Sequence, residues 1–269
     1  GTTTNVPLLF QTGTLRTTPL AGAIEFDNAT YYGTIASGPT RKKFSFSDTD
    51  YAGMYVYSKS LSISIYSADE PHALYSVAAD DVQAGELDGW TFDEGRLVDA
   101  DITSEADNTV LRIVTSAAHG LTTGDVVVVS NANNSAHNKP TEVTVIDTTT
   151  FDCDDITYVA GAGVSSAVVV EPAYLQNTSS ISQVFHLHWS ISANSAVANK
   201  EIMFAPVQNA TAIVSATAEA EFGNIAMNNV SGHGLITVDT GDRVWMQIIN
   251  STDSQNIVVK HFSLVLSRQ

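Results

Sequence analysis

Hydrophobic and polar residues alternate with a period of two along most of this chain, and a helical period of 3.6 is nearly absent. The runs SLSISIYS (60–67), VLRIVTS (110–116), DVVVVS (125–130), EVTVID (142–147), SAVVVEP (166–172), VFHLHWSIS (184–192), RVWMQIIN (243–250) and NIVVKHFSLVLS (256–267) each predict a strand. Clusters of Gly, Asn, Asp and Pro separate these runs, as turn chemistry requires. One stretch, Glu70–Val82, predicts a short helix, because Glu-Pro opens it and alanines follow. The pattern predicts an all-β chain.

Within it, residues 103–171 read as a complete small module: strand, tight turn at His119–Asp125, strand, polar loop, strand, Thr-rich turn near Phe151, and a last strand. Gly120 and Gly124 bracket the tight turn, where a side chain would crowd the backbone, and His119 is expected to stabilise it. The following residues, 172–269, carry a second and longer set of strands.

Charge divides the chain differently. Its 269 residues carry 12 Lys and Arg against 29 Asp and Glu, a net charge of −17. Residues 1–50 hold four basic and four acidic groups, whereas residues 51–101 hold two against ten and residues 102–171 two against nine. The basic triplet Arg41-Lys42-Lys43 thus lies in the neutral segment. Such a balance repels phosphate, so no nucleic-acid partner is expected, and no apolar run is long enough to predict membrane insertion. The asymmetry predicts that the N-terminal segment meets a partner while the acidic remainder faces solvent.

Motifs of catalysis are missing: there is no Gly-x-Ser-x-Gly elbow, phosphate loop, His-Glu-x-x-His or Cys-x-x-Cys. Cys153 stands alone between Asp152 and Asp154-Asp155, whose charge raises a thiol pKa and opposes a nucleophilic role. These aspartates lack the glycine turn and closing Glu of a calcium loop. No enzyme activity, metal or cofactor is expected. In the strand Val184–Ser192, His186 and His188 share one face while Phe185, Leu187 and Trp189 share the other, which belongs to a core.

Three segments carry resemblances. GTLRTTPLAGAIEFD (13–27), followed by an aromatic strand and Thr40-Arg41-Lys42, resembles a segment that recurs in bacteriophage virion proteins, among them tail fibres and head decorations. The module AAHGLTTGDVVVVS…TEVTVIDTTTFDCDD is similar to a small β-barrel found inside modular phage proteins. GDRVWMQIINST…NIVVKHFSLVLS, with Gly89–Asp93 and Gly95–Leu97 upstream, resembles the complement-type and tumour-necrosis-factor-like trimeric jelly-roll heads.

Together these resemblances imply a β-sandwich (jelly roll) with an inserted small β-barrel and an extended N-terminal attachment segment. The implied divisions are 1–48 for virion attachment, 49–82 as a connecting region, 83–102 plus 172–269 as the head, and 103–171 as the insertion. The implied function is that of a homotrimeric capsid decoration or cement protein, or short head fibre, on the outer surface of a virion. Its implied partners are the major capsid protein or another virion protein. A tail fibre tip gripping a host surface glycan is the alternative, and a secreted lectin-like trimer ranks last. The attachment residues expected from the first segment are Arg16, Ile24, Phe26, Tyr31, Tyr32, Arg41, Lys42, Lys43 and Phe44. His186, His188 and Trp245 are the residues expected at the trimer interface.

Overall fold

A computed structural model of the chain describes residues 24–26, 31–33, 42–44, 51–56, 60–75, 89–99, 104–106, 109–159, 167–180, 182–223 and 226–268. The chain divides into two compact units, residues 1–48 and 49–269.

In the first unit, β1 (Ile24–Phe26), β2 (Tyr31–Gly33) and β3 (Lys42–Phe44) form an antiparallel three-stranded sheet in sequence order. Four residues separate β1 from β2, a length that suits a hairpin.

The second unit opens with β4 (Tyr51–Val56), β5 (Leu61–Ile63), β6 (His72–Ala73) and β7 (Trp90–Asp93). Next come β8 (Arg96–Asp99), β9 (Ser104–Ala106), β10 (Val110–Val114), β11 (Val126–Ser130), β12 (Pro140–Val145), β13 (Thr150–Thr157) and β14 (Val168–Glu171). The chain finishes with β15 (Tyr174–Asn177), β16 (Gln183–Ser195), β17 (Lys200–Gln208), β18 (Thr211–Ala212), β19 (Ala218–Phe222), β20 (Asn228–Val238), β21 (Arg243–Asn250) and β22 (Ile257–Arg268).

Two sheets make the sandwich. One runs β20-β16-β22-β4, and the other runs β7-β15-β21-β17, with β19 also paired to β17. Successive strands of β4, β15, β16, β17, β19, β20, β21 and β22 therefore swap sheets, except for the β17–β19 hairpin. That is the connectivity of a jelly roll. Its core draws Phe185, Leu187, Trp189 and Ile191 of β16 against Phe204 of β17 and Met246 and Ile248 of β21, all nearly inaccessible to water. Burial of each such side chain stabilises the fold by roughly 1.5–3 kcal/mol.

β5, β6 and β18 add to these two sheets through β22, β21 and β17, and seven further strands form an antiparallel sheet, β8-β14-β11-β12-β13-β10-β9, which is an open half-barrel. It curls around Leu111, Ile113, Val127, Val129, Val143, Phe151, Cys153 and Val169. The chain passes between the two modules through adjacent antiparallel segments: β7 pairs with β15 in the sandwich, and β8 pairs with β14 in the half-barrel. The segment Arg96–Asp99, expected with the head, thus lies in the second module.

Gly95 makes this crossing feasible. It sits at φ 65°, and a β-carbon there would stand 2.4 Å from Ala173 N and 2.6 Å from Glu171 O, so only glycine fits.

A shared apolar layer joins the modules. Val126 and Val128 of β11 and Val168 and Val170 of β14 pack with Ala73, Tyr174, Val207 and Trp245 of the sandwich. This explains why β11 and β21 are buried at every position instead of alternating. Each has one face in its own module and one in the shared layer, so both read as continuous apolar runs.

The expected helix at Glu70–Val82 does not form over residues 70–75. Asp69 turns the chain at φ 62°, and His72–Ala73 pairs as a strand with β21. Ala73 enters the shared layer while Leu74 enters the sandwich core, a division between opposite sides that suits extended backbone. Residues 76–82 lie outside the described residues. The region 49–82, expected as a connector, supplies β4 and β5 to β22 and β6 to β21. No helix among the described residues is long and apolar enough to cross a membrane.

Candidate interaction surfaces

The N-terminal sheet arranges its residues in cross-strand rows. Its register aligns Phe26, Tyr31 and Phe44 in one row, Glu25, Tyr32 and Lys43 in the next, and Ile24, Gly33 and Lys42 in the third. Of the nine expected attachment residues, seven therefore fall on this small sheet. Arg16 and Arg41 lie outside the described residues.

On the sandwich, the sheet β20-β16-β22-β4 turns one face inward and the other outward. His186 and His188 occupy the outward face while Phe185, Leu187 and Trp189 are buried, as the period of two predicts. The register adds what sequence reasoning missed. His233 lies opposite His188, and His261 lies opposite Ser192. The His186 and His188 rings stack at 6.3 Å between centroids, and His188 and His233 repeat that spacing. Four of the chain's seven histidines thus share one face.

Successive rows across the outward face are Leu235–His186–Ser267, His233–His188–Val265–Gly53, Ser231–Ser190–Ser263–Tyr55 and Asn229–Ser192–His261. Val184 continues the face beside Thr237. Leu235 is 54% exposed and Val184 41%. Tyr55 lies over Gly53, where an added β-carbon would meet its ring at 2.8 Å. No Asp, Glu, Lys or Arg occupies these rows. Lys260 sits at the bulge beyond His261, where it bonds Ser60, and Arg268 ends β22 on the opposite parity.

Trp245 is not on any such surface. It is fully buried in the layer between the modules, and its indole Nε1 donates to Asn209 O at 2.7 Å. The half-barrel covers the sheet face that a second copy would have to reach, which corrects its expected place at a trimer interface.

Beside Trp245, Arg243 ties the modules together. Its Nη2 donates to Asp125 Oδ1 at 2.7 Å and its Nη1 to Gly124 O at 2.6 Å, while the guanidinium lies 4.8 Å from the centre of the Tyr174 ring. Burial pushes the Tyr174 phenol up to about 12 even though Arg243 pulls it down. A second link uses buried Glu70, which accepts from Asn138 Nδ2 at 2.6 Å and Asn131 N at 3.3 Å. Arg96 and Glu171 pair across β8 and β14 at 2.9 Å.

Histidines elsewhere are structural. His119 closes the tight turn, accepting from Leu121 N at 2.9 Å through Nδ1 while Nε2 meets Asp147 O at 2.8 Å. Burial lowers the pKa of His72, partly offset by its bond to Glu70 O, and burial likewise lowers that of His137.

Cys153 is buried in the half-barrel core. Desolvation, and then Asp154, Asp152 and Asp155, push its thiol well above the ordinary value. The clustered aspartates are separately engaged: Asp152 with Arg112 at 2.6 and 2.7 Å, Asp154 with Thr144, and Asp155 with Glu142 N. Among the described residues no group of three His, Cys, Asp or Glu side chains could hold a metal ion.

One open cleft, about 610 Å³, lies between β12–β13 and the β17–β18 turn. Lys139, Glu142, Asp155, Gln208, Asn209 and Thr211 share its lining with Pro140, Ala210, Ala212 and Ile213. Gln208 and Asn209 already donate to Asp242, at 2.6 and 2.9 Å.

The architecture defines an all-β protein built on a sandwich. No protein-family model matches the chain, and no curated protein sequence matches it. Among solved structures, it is similar to a GH26-CBM35 β-(1,4)-mannanase of Podospora anserina, at 14% identity and a TM-score of 0.23, over 54% of this chain and 28% of that one. It is also similar to an isomalto-dextranase of Arthrobacter globiformis T6, at 11% identity and a TM-score of 0.21, over 72% of this chain and 39% of the other. A third similarity is to the T13 particle of the virus abbreviated IBDV, at 8% identity and a TM-score of 0.24, over 84% and 67% of the two chains. This chain spans well under half the length of the first two. Likenesses at such TM-scores assign no activity, ligand or partner.

Proposed function

We propose that this protein is a virion structural protein of a bacteriophage, a capsid decoration or cement protein that works as a homotrimer. The reading rests on the contrast between an N-terminal unit, residues 1–48, of net charge +1 and an acidic two-module body. The N-terminal unit holds the phage-like segment and a sheet that puts Phe26, Tyr31 and Phe44 in one row with Lys42 and Lys43 alongside. A small sheet rich in aromatic and cationic residues suits a flat, acidic protein surface, where aromatic anchors supply contact area. The acidic body then projects away from the shell, because its own charge opposes close approach to an acidic surface. Three copies on a local threefold repeat one contact set, and the linked arms bind with the avidity of three sites.

The test is removal of residues 1–48. The remaining 221 residues form a separate compact unit and are expected to fold yet leave particles undecorated. Truncated protein that still cosediments with virions would overturn the attachment role. A tail-tip reading, with a host glycan as ligand, is favoured by the open cleft that Glu142 and Asp155 help to line. Copy number per particle separates the two, since a shell protein is present in hundreds and a tail tip in about a dozen, by the symmetry of their sites.

A further inference from the structure

We infer that the outward face of sheet β20-β16-β22-β4 is where copies of this chain meet, and that its histidine ladder makes the contact acid-labile. The inference deepens the homotrimer reading and rests on it. Both faces of the other sandwich sheet are occupied, one by the core and one by the half-barrel. The outward face of β20-β16-β22-β4 carries Leu235, Val184 and Val265 among serines and histidines, with Tyr55 spread over Gly53.

The occupant follows from charge. Copies of a protein with net charge −17 repel one another, and the paired rows of this face carry no carboxylate, the nearest cation being Lys260 at the β22 bulge, bonded to Ser60. It is a surface on which two like copies can approach without burying an unpaired charge. Its edge strand β20, eleven residues long, carries no Lys, Pro or acidic residue of the kind that blocks edge-to-edge pairing.

The same neutrality makes acid the disrupting agent. The groups facing His186, His188 and His233 are each other, Leu235, Val265 and Ser267, with His261 two rows away and Tyr55 on β4. Lys260 lies at the β22 bulge beside His261 and Arg268 ends that strand, and among the described residues no carboxylate on a paired strand faces the ladder to balance an imidazolium. Protonation therefore places like charges about one ring spacing apart in an interface that offers no counter-charge.

The experiment is sedimentation velocity of the full chain at about pH 7.5 and about pH 5.5, with Leu235→Glu, Ile146→Glu and the triple variant His186→Gln/His188→Gln/His233→Gln. Ile146 is a 49% exposed control on the half-barrel, and tryptophan fluorescence checks that each variant is folded. The expected result is an oligomer at the higher pH that L235E dissociates and I146E leaves intact. Its dissociation constant rises about tenfold or more on acidification in the wild type and much less in the triple variant. An oligomer insensitive to L235E overturns this face while leaving the homotrimer reading standing. Equal acid sensitivity in the triple variant overturns the role of the ladder. A wild-type monomer overturns both readings of association, and one that associates only after removal of residues 1–48 shows instead that the chain's own N-terminal segment covers the face. Decoration of virions by the full chain against the chain lacking residues 1–48, measured separately, tests the attachment role on its own.

Discussion

Replacing Asp125 with Ala removes the charge that balances Arg243 in the layer between the modules. Asp125 accepts from Arg243 Nη2 at 2.7 Å, Thr122 N at 2.7 Å and Thr122 Oγ1 at 3.0 Å. Thr122 is exposed, so water can replace its partner. Arg243 has no such recourse. Its side chain is only 10% exposed, its Nε already lacks a hydrogen-bond partner, and a guanidinium does not shed its proton. In D125A it keeps only Gly124 O and the Tyr174 ring.

A buried charge stripped of its partner costs about 3–5 kcal/mol. With a urea dependence of about 3 kcal/mol per M for a unit of this size, the unfolding midpoint falls by about 1–1.7 M. Arg243→Met costs less, because Asp125 retains its two bonds from Thr122, which is exposed to water. The double variant Asp125→Leu/Arg243→Met removes both charges and is expected to recover to within about 1 kcal/mol of wild type, since apolar replacement of a buried pair is often neutral. Urea titrations followed by tryptophan fluorescence, which reports on Trp245 in the same layer, decide the matter. A midpoint shift below about 0.3 M for D125A, or a double variant no better than D125A, refutes the reasoning.

Three other predictions follow from single sites. Gly232→Ala places a β-carbon 2.6 Å from Trp189 Nε1 and 2.7 Å from Ala216 O, two atoms joined by a 2.8 Å hydrogen bond. The variant should lose about 2 kcal/mol in thermal unfolding, and an unchanged melting temperature would show that the edge strand yields freely. His72 and His137 are held below their ordinary 6.5 by burial, so the folded state binds fewer protons than the unfolded chain. Stability from their burial is complete above that value and declines as pH falls through it towards the folded values, and His72→Gln/His137→Gln should flatten this slope in urea titrations from about pH 7 to 5. The Cys153 thiol, buried and raised, should react with iodoacetamide about 100-fold more slowly in native buffer than in urea, and comparable rates would mean that the half-barrel core opens readily.

The strands legible in the sequence were those whose faces meet different environments or whose apolar runs are unbroken. β16 alternates because one face is core and the other outward, and β21 runs apolar because both faces are covered. β17 and β19 gave no such signal. Pro206 interrupts β17, yet it is tolerated where that strand's outer partner changes from β18 to β19, so no ladder N–H is needed there. β19 reads AEAEF, whose Ala and Glu favour a helix, and pairing with β17 overrides that preference.

For the candidate surface, the sequence disclosed His186 and His188 as a pair on one face, because alternation within a strand is local. It could not disclose His233 or His261, which reach the same face only through strand pairing over 45 or more residues. An uncharged β20 was the available signal, visible as the absence of Asp, Glu, Lys and Arg from Asn228 to Val238.

By itself the sequence determined the all-β class, the inward and outward sides of its longest strands and the neutral segment within an acidic chain. Each depends on residues next to one another or on simple sums of charge. Only the tertiary structure decided that Trp245 is sealed between modules, that Arg243 meets Asp125 and that four histidines share one face. Those facts depend on which strands lie side by side and on which layer covers which, and pairing between distant segments leaves no periodic trace in the chain.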